Sequence, residues 1–264
     1  MNDVLFAFCI TLLAGLSTGI GSLIAFAAKS TNRRFLSFSL GLSAGVMIYV
    51  SFMELLADAN ERLTLTMGPR GQWLSIALFF GGIFLIALID KLVPSKENPH
   101  EIRSLESMQN HPPKNKLIRL GTMTALAIGI HNFPEGLATF TAALDSPTLG
   151  FAIGAAIAIH NIPEGIAVAV PVYQATGDRR KALRLSFLSG VAEPVGALVG
   201  YLILMPFLSP TLLGAVFAVV AGIMVFISLD ELLPAAREWG FHHISIYGLV
   251  AGMAIMAVSL TILS

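Results

Sequence analysis

A chain of 264 residues that is 55% hydrophobic, only 12% charged and of zero formal net charge carries about half the charge of an ordinary soluble domain. That composition excludes a water-soluble globular protein and a basic nucleic-acid binder. A single cysteine, Cys9, excludes an intrachain disulfide and a cysteine-based zinc cluster.

Crossing the hydrocarbon layer takes about 20 largely apolar residues. Eight stretches qualify in chain order: 4–28, 35–57, 72–92, 117–143, 149–173, 182–204, 211–233 and 244–263. The opening Met1-Asn2-Asp3 lacks the basic region of a cleavable signal, so the first stretch is expected to be a retained helix. Breakers separate the spans: Lys29–Arg34, Gly68-Pro69, Ser146-Pro147, Gly177-Asp178, Ser209-Pro210 and Gly240. The one long connection, 94–116, is rich in Pro, Asn, Lys, Glu and His and reads as a flexible loop. The expected fold class is all-α, a single polytopic membrane domain over 1–264 with eight transmembrane helices.

Basic residues orient the bundle. Lys29, Arg33 and Arg34; Lys91, Lys96, Arg103, Lys114, Lys116 and Arg119; Arg179, Arg180, Lys181 and Arg184; and Arg237 fall on alternate connections, leaving only Arg62 and Arg70 opposite. Positive residues favour the cytoplasmic face. Both termini are therefore expected outside an inner (plasma) membrane, with loop 94–116 in the cytoplasm.

Two internal repeats emerge. AIGIHNFPEGLATF at 127–140 matches AIAIHNIPEGIAVA at 156–169 in nine of fourteen positions. SAGVMIYVSFMELLADA at 43–59 matches VAGIMVFISLDELLPAA at 220–236 in eight of seventeen. The first pair lies on spans four and five, the second on spans two and seven. Each separation is odd, so the related helices are expected to run in opposite directions, an inverted arrangement typical of transporters.

His131-Asn132-x-Pro134-Glu135-Gly136 and His160-Asn161-x-Pro163-Glu164-Gly165 place ionisable residues near the middle of spans four and five. Such residues are costly at that depth and mark functional sites. At i and i+4, each His shares a helix face with its Glu, and imidazole with carboxylate is a ligand set for zinc and its neighbours. Asn132 and Asn161 offer amide oxygens as ligands or as orienting groups. Pro134 and Pro163 are expected to kink their helices. Glu193, beside Pro194 in span six, adds a third midplane carboxylate, which either helps hold a second divalent ion or shares a proton. Glu54 and Asp230/Glu231 occupy the second repeat at opposite mouths, where they would attract cations and pass them on. Asp90 reads as interfacial, His100, His111, His242 and His243 as solvated, and Met47, Met53 and Met224 as packing residues.

The doubled HNFPEG and HNIPEG motifs, the eight spans and the long third loop resemble the ZIP family of divalent-metal transporters, specifically its compact bacterial zinc-uptake members. The resemblance extends over essentially the whole chain. It implies a three–two–three helix arrangement, with spans one to three inverted relative to six to eight. It also implies a transport site of His131, Glu135, His160 and Glu164. An adjacent site would use Asn132, Asn161 and Glu193, bridged by Glu135 and Glu164, and an inner exit would involve Asp230 and Glu231.

The expected function is import of zinc and related divalent ions (iron, manganese, cobalt, cadmium) as substrate, with no cofactor and no enzymatic activity. Membrane lipid is the expected surround, and a homodimer is one assembly left open. The alternatives are an intramembrane zinc hydrolase, for which no HExxH is present, and a non-transporting metal sensor, for which 94–116 is too short and polar.

Overall fold

Helix follows helix along the chain, and no strand occurs among the described residues. The computed structural model describes residues 2–27, 33–92, 129, 132–207, 209–238 and 240–263. His131, the loop 94–116 with His100 and His111, and most of span four lie outside them.

The helices are α1 (Asn2–Ala27), α2 (Arg33–Val50), α3 (Leu56–Met67), α4 (Pro69–Leu92), α5 (132–145), α6 (Pro147–Thr176), α7 (Arg179–Gly190), α8 (Ala192–Val199), α9 (Pro210–Ile227), α10 (Leu233–Glu238) and α11 (His242–Leu263). Among the described residues seven helical stretches are long and apolar enough to cross a membrane, so the chain is a polytopic membrane protein. Trp73, Phe84 and Leu88 on α4 and Tyr247, Val258 and Ile262 on α11 face outward, a surface suited to hydrocarbon rather than water.

The breakers act through identifiable caps. Ser146 and Ser209 accept from the backbone N–H of Leu149 and Leu212, each with a proline at the first helical position. Gly177, at φ 66°, closes α6 in the left-handed conformation, and Asp178 caps α7 through Arg180 N and Lys181 N. Pro163 does not end its helix: α6 runs from Pro147 to Thr176 as one element. In span six the helix breaks between Gly190 and Ala192, where Pro194 withholds the N–H that Gly190 O would receive.

Span two is longer than hydropathy alone implies. The helix continues through a π-turn at Ser51–Leu55 into α3, so the stretch Ser37–Met67 has 31 residues. At about 1.5 Å per residue it rises about 46 Å, well beyond a hydrocarbon layer of about 30 Å. A matching π-turn, Ser228–Leu232, joins α9 to α10 at the equivalent position of the second repeat. Ser51 Oγ donates to Met47 O at 2.6 Å, and Ser228 Oγ to Met224 O at 2.7 Å. Met47 and Met224 themselves are buried core residues.

Glycines decide which helices meet backbone to backbone. A Cβ at Gly165 would stand 1.8 Å from Thr18 O, one at Gly15 2.4 Å from Gly190 O, and one at Gly136 2.0 Å from Glu193 O. These contacts bind α1, α5, α6, α7 and α8 into one body. Reciprocal contacts of Gly41 and Gly45 with α11 bind α2 to α11, and those of Gly82 with α9 bind α4 to α9; the two pairs join into another body through the π-turns, which pack on both α2 and α9, with α3 seated on α9 through Gly214. Between the two bodies α2 packs on α6, with Val46 and Met47 sharing one core cluster with Ala156 and Ile157.

Candidate metal centre

The first body carries every motif residue that is described. Asn132 and Glu135 stand on α5, His160, Asn161 and Glu164 on α6, and Glu193 on the first turn of α8. All six are 0–1% exposed. Burial of this kind is costly unless polar partners or an ion compensate.

The partners cross between helices. His160 Nε2 lies 3.1 Å from Glu135 Oε1, so the His of one motif meets the Glu of the other. Asn161 Nδ2 donates to Glu193 Oε1 and, at 2.9 Å, to Ala14 O on α1. Asn132 Nδ2 donates to Ser189 O at 3.4 Å. Asn161 thus commits both amide hydrogens to protein acceptors, while Asn132 Oδ1 and Asn161 Oδ1 receive no hydrogen bond from the described residues. An amide held in this way offers its oxygen, the hard donor that a divalent cation takes.

The surroundings hold these side chains in place. Ser186 Oγ donates to Thr18 O and Gly165 O, Ser22 Oγ donates to Gly165 O, and Ser43 Oγ from the second body donates to His160 O at 3.2 Å. Ala14, Ser43 and Ser189 were not singled out by sequence reasoning. The available signal is the small-residue run Ala14–Ser22 (AGLSTGIGS), whose spacing lets α1 sit directly on α6 and α7.

The remaining sequence-predicted carboxylates stand elsewhere. Glu54 is half-buried in the first π-turn, which packs on α2, α3 and α9; Glu231 is half-buried and Asp230 exposed in the second, which packs on α2, α9 and α10. Both turns belong to the second body. Among the described residues no group of three His, Cys, Asp or Glu is gathered for a metal ion, and His131, the second imidazole of the motif set, lies outside them.

Comparison with known proteins matches residues 90–260 to the family described as ZIP Zinc transporter. The chain is 62% identical to the zinc transporter ZupT of Streptococcus mutans, covering 98% of each chain. It is 58% identical to the zinc transporter ZupT of Oceanobacillus iheyensis over 100% of both, and 59% identical to that of Lysinibacillus sphaericus over 99% of both. A polytopic helical bundle, a doubled His-Asn-x-Pro-Glu-Gly motif on adjacent helices and full-length similarity of this degree lead to one conclusion: this chain belongs to the ZIP zinc transporter family.

Proposed function

We infer that the protein is a zinc transporter, not an enzyme, and that zinc passes through the buried centre between α5 and α6 as substrate. The observation that supports this most is the Glu135–His160 contact at 3.1 Å, set beside buried Glu164, Asn161 and Glu193. The ligands we assign to the passing ion are His131, Glu135, His160 and Glu164. Asn132, Asn161 and Glu193 form an adjoining set in which the amide oxygens serve a second ion or steady the first. Iron, manganese, cobalt and cadmium fit the same nitrogen and oxygen donors.

The rest of the reading follows the charge pattern and the repeats. Eight spans cross the inner membrane with both termini outside, in a three–two–three order with inverted halves; 94–116 is a cytoplasmic loop, and a homodimer in lipid is the assembly. Glu54 collects ions at the outer mouth, and Asp230 with Glu231 receives them at the inner one. One body moves against the other during the cycle, carrying the centre with it.

Proteoliposomes loaded with a zinc-sensitive dye test the function. Saturable entry of external zinc into vesicles holding the protein, absent from empty vesicles, supports transport. A folded protein that binds zinc without passing it returns the weight to a sensor.

A further inference from the structure

The two bodies meet where α2 packs on α6. Polar bonds between described residues that cross this seam include Ser43 Oγ to His160 O at the centre and a bidentate ion pair at one end. There Arg62 on α3 donates through Nη2 to Asp145 Oδ2 at 2.6 Å and through Nη1 to Asp145 Oδ1 at 3.2 Å. Arg62 lies in the second body, on the helical extension that rises past the hydrocarbon layer. Asp145 is the last residue of α5 in the first body, nearly three turns beyond Glu135 on the same helix.

Arg62 has a second acceptor. Its Nε donates to Asp58 Oδ2 at 2.5 Å, one turn back on its own helix. If Asp145 departs, the guanidinium keeps a carboxylate partner within its own body, so parting the pair does not strand a charge. The side chains are only 20–30% exposed, and the fork geometry is directional. A link across the seam that leaves Arg62 a carboxylate partner within its own body when it parts has the form of a releasable catch.

We propose that the Arg62–Asp145 pair is a clasp between the two helix bodies that must open during each transport cycle. The proposal rests on the reading of the protein as a transporter whose bodies move relative to each other. Neutralising Asp145 then favours the open arrangement, and tying the two positions together arrests the cycle.

Two arms test it in a Cys9→Ser background. In the first, Arg62→Cys and Asp145→Cys are joined by a short, reducible bifunctional thiol reagent, and zinc-65 uptake into proteoliposomes is measured before cross-linking, after it and after reduction. Uptake that falls to the level of empty vesicles and returns on reduction supports the clasp; undiminished uptake by fully cross-linked protein overturns it. The second arm needs no flux, so it separates a failed clasp from a failed transporter. Thr139→Cys, buried one turn from Glu135, is labelled in intact cells with an impermeant thiol reagent, with and without Asp145→Asn. Labelling faster by about two- to fivefold, the population change that a partly exposed ion pair supplies, supports the proposal, and an unchanged rate overturns it. Should the double-cysteine variant be inactive before cross-linking, the labelling arm decides.

Discussion

Glu135 Oε1 lies 3.1 Å from His160 Nε2, joining α5 to α6 where both side chains are cut off from solvent. The contact joins one residue of each motif copy: the imidazole of one helix is oriented by the carboxylate of the next. Removing either partner outright takes a buried polar contact from the other, a change that costs about 1–3 kcal/mol. Polar replacements that keep a hydrogen bond separate binding from folding. Glu135→Gln and His160→Gln are expected to unfold near the parent's temperature in detergent while zinc affinity falls by about 10–100-fold, as read by equilibrium dialysis.

Asn161 ties three helices together, since its amide nitrogen reaches both Ala14 O and Glu193 Oε1. Asn161→Leu keeps similar volume and leaves both acceptors without that donor. The expected loss is about 1–3 kcal/mol for each buried group so exposed. Denaturant or thermal unfolding of the purified variant should show it as a lowered midpoint even without zinc.

Glycine contacts predict where a single methyl is tolerated. A Cβ at Gly165 meets the Thr18 carbonyl at 1.8 Å, whereas one at Gly81 meets nothing within 4 Å. Gly165→Ala is expected to cost about 1–3 kcal/mol or more through overpacking of α1 against α6. Gly81→Ala should hold or raise stability by up to about 1 kcal/mol, the helix preference of alanine over glycine. Equal unfolding midpoints for the two variants would contradict this packing.

Much of this architecture is legible in the chain. Ser146-Pro147, Gly177-Asp178 and Ser209-Pro210 mark helix ends because each supplies a cap whose chemistry is local. The His-Asn-x-Pro-Glu-Gly pairs announce a site because four ionisable residues at membrane depth demand a reason. What the spacing does not reveal is partnership: i and i+4 place His160 beside Glu164 on one face, yet the contact at 3.1 Å is with Glu135 on the neighbouring helix. Nor does the run of polar residues show that the helix of span two continues to Met67, because Asp58, Asn60, Glu61 and Arg62 read as loop while forming an amphipathic helix. The roles of Ala14 and Ser189 rest on backbone carbonyls, which residue identity does not report.

Acid should slow the protein. Imidazole and carboxylate bind metal only when deprotonated, so zinc and protons compete for the same atoms. Unperturbed imidazoles titrate near pH 6.5 and carboxylates near pH 4; protonation therefore removes ligands as the pH falls. Zinc uptake at sub-saturating metal is expected to decline from about pH 7 to pH 5. A rate that climbs steadily below about pH 5 would contradict a His/Glu ligand set.

If Glu54 and Asp230 stand at the mouths as proposed, they should affect capture more than binding. Glu54 is half-buried in the first π-turn, and Asp230 exposed in the second. Charge at an opening raises local cation concentration in a salt-dependent way. Glu54→Gln is expected to raise KM for external zinc severalfold at low ionic strength, with the difference narrowing in high salt and the maximal rate nearly unchanged. A loss of maximal rate with KM intact would assign Glu54 a different role.

In the proposed function zinc crosses the membrane through the buried centre on α5 and α6. Zinc-65 uptake into proteoliposomes tests it most directly, comparing the parent with His160→Ala and Glu164→Ala in folded, equally reconstituted protein. Saturable uptake by the parent that both variants lose is the predicted result. Uptake by either variant at the parent's rate and affinity would contradict it.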